Sequence, residues 1–319
     1  MSVAWVVMLL NCLGTESLIP RGQLSFAPDN TLYVFHRRST TVVSPRGDTR
    51  DVRLPAWVAE LNWTGTRQLS PDGQRFLIAG PAFVGLYAFD DGVVGDAVWR
   101  GKGPVTTAAF SPDGRAIALG RMDGTVDLVD AATGDRQDCY RAMYQAESSM
   151  NPNSAVGIGD IGGLTWSPGG RYLVAWKNYG GSCSLIDLKE DCEFRFAPAT
   201  IFPRFAFSTD EQTLYSFVGR SGAAAATSTT DAGSQWLPLP ESWVGAGTAV
   251  ALAPRKNLLV VAGEINIEVW DLVRSACLDL IGAHSGGSMP DVIAISPDET
   301  RFAVSRAGRI EVYPLPPTD

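Results

Sequence analysis

Two imidazoles occur in the 319 residues, His36 and His284, and they lie far apart in the chain. Neither belongs to a His-x-x-x-His or comparable pair, so the spacing that would clamp a zinc ion is missing. No G-x-S-x-G nucleophile turn and no P-loop of the Gly-Lys-Ser/Thr kind is present. The many Asp-Gly steps lack the close succession of oxygen ligands that a calcium loop needs and read first as hairpin turns. Of five cysteines, Cys183 and Cys192 are the one close pair. If Lys189-Glu190 turns the chain between their strands, Cys183 faces position 196 rather than 192, and an odd total without a framework argues for reduced thiols. The expectation is therefore no catalytic residue, no metal and no cofactor. His284 reads as a structural hydrogen-bonder and His36, beside Arg37 and Arg38, as a solvent-exposed side chain. What remains is the chemistry of recognition, carried by arginines and aromatics.

The elements that must position those residues follow from one stretch. Ala109-Phe110-Ser111-Pro112-Asp113-Gly114-Arg115 reads as a strand running into a tight turn; Ala116 to Gly120, an Asp123-Gly124 hairpin and Thr125 to Asp130 follow it. Pro112 presets its own φ, Asp113 can bond its own backbone, and Gly114 accepts positive φ without a steric cost. The same sentence recurs with its Pro at 28, 71, 112, 168, 254 and 297, and with Thr209 in that place once. The steps are 43, 41, 56, 41, 45 and 43 residues. A period of roughly 40–45 residues holding four short strands is the pattern of a propeller blade.

The Phe-Ser-Pro-Asp-Gly turns, the Asp-Gly-Thr-Val hairpin at 123–126, the Val-Trp-Asp-Leu run at 269–272 and the endings Val129-Asp130, Ile186-Asp187 and Phe89-Asp90 resemble the WD-repeat β-propellers. The resemblance covers the whole chain. It implies an all-β fold, a seven-bladed β-propeller of four-stranded antiparallel blades in a single domain over 1–319. The last repeat lacks a fourth strand, and the resemblance implies that the chain's first strand supplies it; Val3 to Leu10 is the segment left over. The rival reading of residues 1–19 is an export signal, although no Lys or Arg precedes the apolar run. The expected location is the cytoplasm.

The resemblance also places the loops between second and third strands, and those between blades, on one face. Those loops hold Arg37, Arg38, Phe83, Arg121, Tyr179, Arg220 and Arg306, and between blades Trp57, Trp63, Met143, Tyr144 and Trp243. The 56-residue step implies an insertion within Arg141 to Asp160. Net charge is −8, with 34 acidic against 26 basic residues, which argues against nucleic acid and anionic membranes as partners. The expected function is a non-catalytic protein-interaction scaffold whose face takes a protein or peptide, an acidic segment in particular. The alternative is a propeller enzyme, such as a metal-dependent hydrolase, or a small-ligand sensor using the central channel. Against it, the expected inner strands read Thr106-Thr107-Ala108-Ala109 and Thr248-Ala249-Val250-Ala251, small and neutral.

Overall fold

The structure, a computed structural model, describes residues 8–11, 23–36, 38–59, 66–142, 161–177, 183–196, 203–218, 223–230, 234–237, 249–263, 266–274, 276–282, 290–306 and 309–317. Strand β1 (Met8–Asn11) precedes the first repeat. Blade 1 is β2 (Gln23–Phe26), β3 (Leu32–Phe35), β4 (Ser39–Val43) and β5 (Thr49–Arg53), followed by the short helix α1 (Ala56–Ala59). Blade 2 is β6 (Thr66–Leu69), β7 (Arg75–Ala79), β8 (Phe83–Asp90) and β9 (Val93–Lys102). Blade 3 is β10 (Val105–Phe110), β11 (Ala116–Arg121), β12 (Val126–Asp130) and β13 (Arg136–Tyr140). Blade 4 is β14 (Gly163–Trp166), β15 (Tyr172–Trp176), β16 (Cys183–Asp187) and β17 (Cys192–Phe196). Blade 5 is β18 (Pro203–Phe207), β19 (Thr213–Val218), β20 (Ala223–Ser228) and β21 (Ser234–Leu237). Blade 6 is β22 (Ala249–Ala253), β23 (Leu258–Ala262), β24 (Asn266–Asp271) and β25 (Ala276–Gly282). Blade 7 is β26 (Pro290–Ile295), β27 (Arg301–Arg306) and β28 (Arg309–Pro314).

Each blade is a four-stranded antiparallel sheet in chain order, and β1 completes the seventh in the order β1-β28-β27-β26. Met8 pairs with Val312 and Asn11 with Arg309, so the first strand closes the ring as the resemblance implied. The inner strands β2, β6, β10, β14, β18, β22 and β26 neighbour one another in turn, and β26 returns to β2. Cys183 pairs with Phe196 and not with Cys192, and both are free thiols.

The core is divided among the gaps between blades. Phe35, Val42, Phe76 and Phe89 fill the gap between blades 1 and 2, and Leu77, Leu86, Ile117 and Val129 the next. The same holds around the circle to Leu32, Val34, Ala303 and Ile310 between blades 7 and 1. A strand buried on both faces is apolar throughout: Leu258 to Ala262 and Tyr172 to Trp176 are buried at every residue.

The repeated turn shows why its residues are Ser, Pro, Asp and Gly. Ser111 donates its hydroxyl to Asp113 Oδ1 at 2.6 Å and accepts from the Ala116 amide at 2.9 Å. Ser208 and Ser296 do the same with Asp210 and Asp298, and with the amides of Thr213 and Arg301. A left-handed residue follows in every blade: Asn30, Gly73, Gly114, Gly170, Glu211, Asn257 and Glu299, with φ between +52° and +79°. Glycine and asparagine accept this φ readily; glutamate does so at a cost.

These turns also meet their neighbours. Arg75 Nη2 donates to Gly114 O at 3.0 Å, Gly169 N to Glu211 Oε1 at 2.7 Å, and Thr209 Oγ1 to Pro254 O at 2.6 Å. Arg255 N donates to Glu299 Oε1 at 3.1 Å, and Arg301 Nη2 to Asn30 O at 3.0 Å. Between blades 1 and 2, a Cβ added at Gly73 would lie 3.2 Å from Pro28 Cδ; between 3 and 4, one at Gly170 would lie 3.7 Å from Pro112 Cδ. The turns form a continuous collar around one end of the ring. The two glutamates that accept a left-handed φ are the ones whose carboxylates bind the preceding blade.

Candidate functional site

In an antiparallel blade the first and third turns fall at one end and the second turn with the interblade connection at the other. The collar takes the first end. The opposite end is where the recognition residues are expected, and the structure separates them.

Arg121 ends β11, and its Nε and Nη2 both lie 2.5 Å from Asp127 Oδ2. Asp127 is buried while the Arg121 side chain is 24% exposed, and Arg136 Nη1 stands 3.8 Å from the other carboxylate oxygen. The hairpin beside the pair is set by Asp123, whose Oδ1 accepts from the Thr125 hydroxyl at 2.6 Å and amide at 3.0 Å. That hydroxyl holds the Asp123 carboxyl below its usual pKa.

Arg306 occupies the equivalent place. It ends β27, it pairs with Pro290 as Arg121 pairs with Val105, and the same register shift follows in both blades. Its side chain is nevertheless fully buried. Nη1 donates to Gly263 O of blade 6 at 2.5 Å, and Nε lies 3.5 Å from Glu311 Oε2, which also accepts from the Tyr313 hydroxyl at 3.0 Å. Burial pulls the Arg306 pKa down and pushes the Tyr313 pKa up. Removing such a charge leaves its partner buried alone, so Arg306 holds blade 7 to blade 6 and is not displayed.

Trp57, on α1, is half-buried with its ring 4.6 Å from that of Tyr87, and the Arg100 guanidinium lies 5.6 Å and 5.4 Å from the two rings. Phe83 opens β8 and packs against the core between blades 1 and 2. Arg38 is exposed. Arg37, Trp63, Met143, Tyr144, Tyr179, Arg220 and Trp243 lie outside the described residues, as do His284 and most of the insertion.

His36 differs from its expectation. It is half-buried, and burial lowers its pKa. Its Nε2 is 2.9 Å from Thr41 Oγ1, and Thr41 donates to Asp51 Oδ1 at 2.5 Å. Because the hydroxyl proton goes to the carboxylate, the imidazole Nε2 donates to the hydroxyl. In a nucleophilic triad the hydroxyl instead donates to the imidazole. The His36–Thr41–Asp51 chain thus ties β3, β4 and β5 together without activating Thr41.

Sequence reading passed over the acids of the third strands, Asp127, Glu268 and Glu311. The signal was an acidic residue inside an apolar run, Val126-Asp127-Leu128 and Ile310-Glu311-Val312, after an arginine at the end of the preceding strand. It also passed over Gly157-Ile158-Gly159-Asp160-Ile161-Gly162, which spells G-x-G-x-x-G. That string leads into β14, a strand, whereas a dinucleotide fingerprint opens a helix.

The fold is that of a seven-bladed β-propeller. A family model described as WD domain, G-beta repeat, matches residues 97–130, from the later half of β9 to the end of β12. The match thus takes the outer strand of one blade and three strands of the next, ending at Val129-Asp130. A chain of the solved structure titled "Crystal Structure of Mitotic Checkpoint Complex" is similar with a TM-score of 0.74 and 13% identity, over 97% of this chain and 95% of that one. One repeat of the chain thus matches the WD repeat, within a ring of seven blades that share its strand order.

Proposed function

We propose that this protein is a non-catalytic interaction platform that binds an acidic protein segment on the end of the ring opposite the collar. The WD-repeat fold supports the general reading, since such propellers are typical interaction scaffolds, and the similar solved chain comes from a structure titled as a complex. The observation that carries the finer one is the placement of charge. Arg38, Arg53, Arg100 and Arg141 are exposed at that end, in a chain whose net charge is −8, while the collar end is of mixed sign, with Asp72, Asp113, Asp210 and Asp298 of the turns standing among exposed Arg46, Arg115, Lys189, Arg255 and Arg274. Exposed arginines favour bidentate pairing with carboxylates. The same reading keeps the protein in the cytoplasm, where Cys139, Cys183, Cys192 and Cys277 remain the free thiols they are here.

The test is affinity capture from the native lysate with the intact chain, with R53E/R100E/R141E, and with R115E/K189E, which reverses exposed charge at the collar end. A protein captured by the intact chain and by R115E/K189E but not by the triple variant supports the reading. Equal capture by all three refutes it.

A further inference from the structure

We propose a second docking site on the rim: the outer strand of blade 6, β25, accepts an extended segment of another protein in which Lys or Arg alternates with apolar residues. The strand is last in the sheet order β22-β23-β24-β25, so one row of its backbone N–H and C=O groups is unpaired within the sheet. Every propeller has such edges, and they are normally blunted by charge, brevity or bulges. The outer strands β5, β9, β13 and β17 each carry charges of both signs, as in Arg50, Asp51 and Arg53, or Glu193 and Arg195. β1 and β21 have four residues each. β25 has seven residues, Ala276 to Gly282, with Asp279 as its single charge.

Its side chains are correspondingly apolar and open. Leu280 is 61% exposed and Leu278 39%, and Val273, on the turn that leads into the strand, is 76%. A bulge opposite Val269 and Trp270 leaves Leu278 without a partner across the ladder. Asp279 is half-buried between the two leucines, and no arginine or lysine lies within ion-pair distance of it among the described residues. A strand added here gains main-chain hydrogen bonds and a place for alternate apolar side chains, and its residue opposite Asp279 meets an uncompensated carboxylate.

That carboxylate also decides the occupant. A second copy pairing by two-fold symmetry, with Leu278 opposite Leu280, would set Asp279 against its own counterpart, and like charges directly opposed are destabilising. A segment with Lys or Arg at that place is favoured instead.

The experiment pans a random heptapeptide phage library on the full chain, then measures the enriched peptide against wild type, Leu280→Lys and Asp279→Lys. The expected result is enrichment of sequences in which Lys or Arg lies between apolar residues. Affinity should fall at least tenfold on both variants with unchanged melting temperatures, and amide exchange over 276–282 should slow when the peptide is bound. No enrichment, enrichment without a basic residue, or undiminished binding to Leu280→Lys overturns the proposal. So does sedimentation showing a wild-type dimer that Leu280→Lys dissolves, which would give the strand to a second copy.

Discussion

Blade 3 and blade 7 carry arginine at one register position and use it in opposite ways. Arg121, partly exposed, pairs with a buried Asp127, whereas Arg306 and Glu311 are both sealed from solvent. Strand pairing and register shift agree in both blades; the difference lies in what surrounds the arginine, the Gly263 carbonyl of blade 6 together with Glu311 and Tyr313 of its own blade. The same two blades differ at the collar, where Gly114 takes the left-handed position in one and Glu299 in the other. A residue's role in a repeat fold is set as much by the adjoining repeat as by its own.

The largest effect that would break the comparison is at the buried pair. Arg306→Ala strands Glu311 in the core and should cost about 3–5 kcal/mol, measured by denaturant unfolding, while the double change R306M/E311L should be near neutral. If the single change is as mild as the double, the pair is not buried as described. Glu299→Gly should come next. It relieves a left-handed glutamate but removes the acceptor of the Arg255 and Lys256 amides, for a net loss of about 1–2 kcal/mol, since hydrogen bonds to a charged group outweigh the gain in φ. Arg121→Ala should cost about 1–2 kcal/mol, because it strips the buried Asp127 carboxylate of its close partner and leaves only the exposed Arg136 at 3.8 Å.

The smallest effect is in pH. The Ser111 hydroxyl and the Arg115 amide hold Asp113 below the usual carboxyl range, and Ser208 and the Gln212 amide do so for Asp210. Their folded pKa values lie below the unfolded ones, so this stabilisation is full above about pH 4 and is lost as pH falls through the folded values. Ser111→Ala should flatten the acid limb of the stability curve.

The collar and the blade count were legible because the turn is local chemistry: Ser, Pro, Asp and Gly or Asn each do their work within six residues. Register followed from it, which is why Cys183 could be set against Phe196 before any contact was known. The closing strand was legible only through the resemblance, since nothing within Val3 to Leu10 names its partner. Arg306 was misplaced because its surroundings are built by a residue distant in sequence, Gly263 of the neighbouring blade, and the end of a second strand reads alike whether that blade covers it or not. His36 was misplaced because Thr41 and Asp51 meet it only once β3, β4 and β5 have paired within its own blade. Trp57, expected on the recognition face, instead stacks on Tyr87, a contact between two repeats that no local stretch of sequence displays.

The most direct test of a two-ended ring is hydrogen exchange on the intact chain, alone and with the protein it captures. The account expects added protection around Arg38, Arg53 to Ala59, Arg100, Arg121 to Thr125 and Arg141, with none at the collar turns near Asn30, Gly73 and Gly114. Protection concentrated at those turns, with the arginine end unchanged, would contradict it.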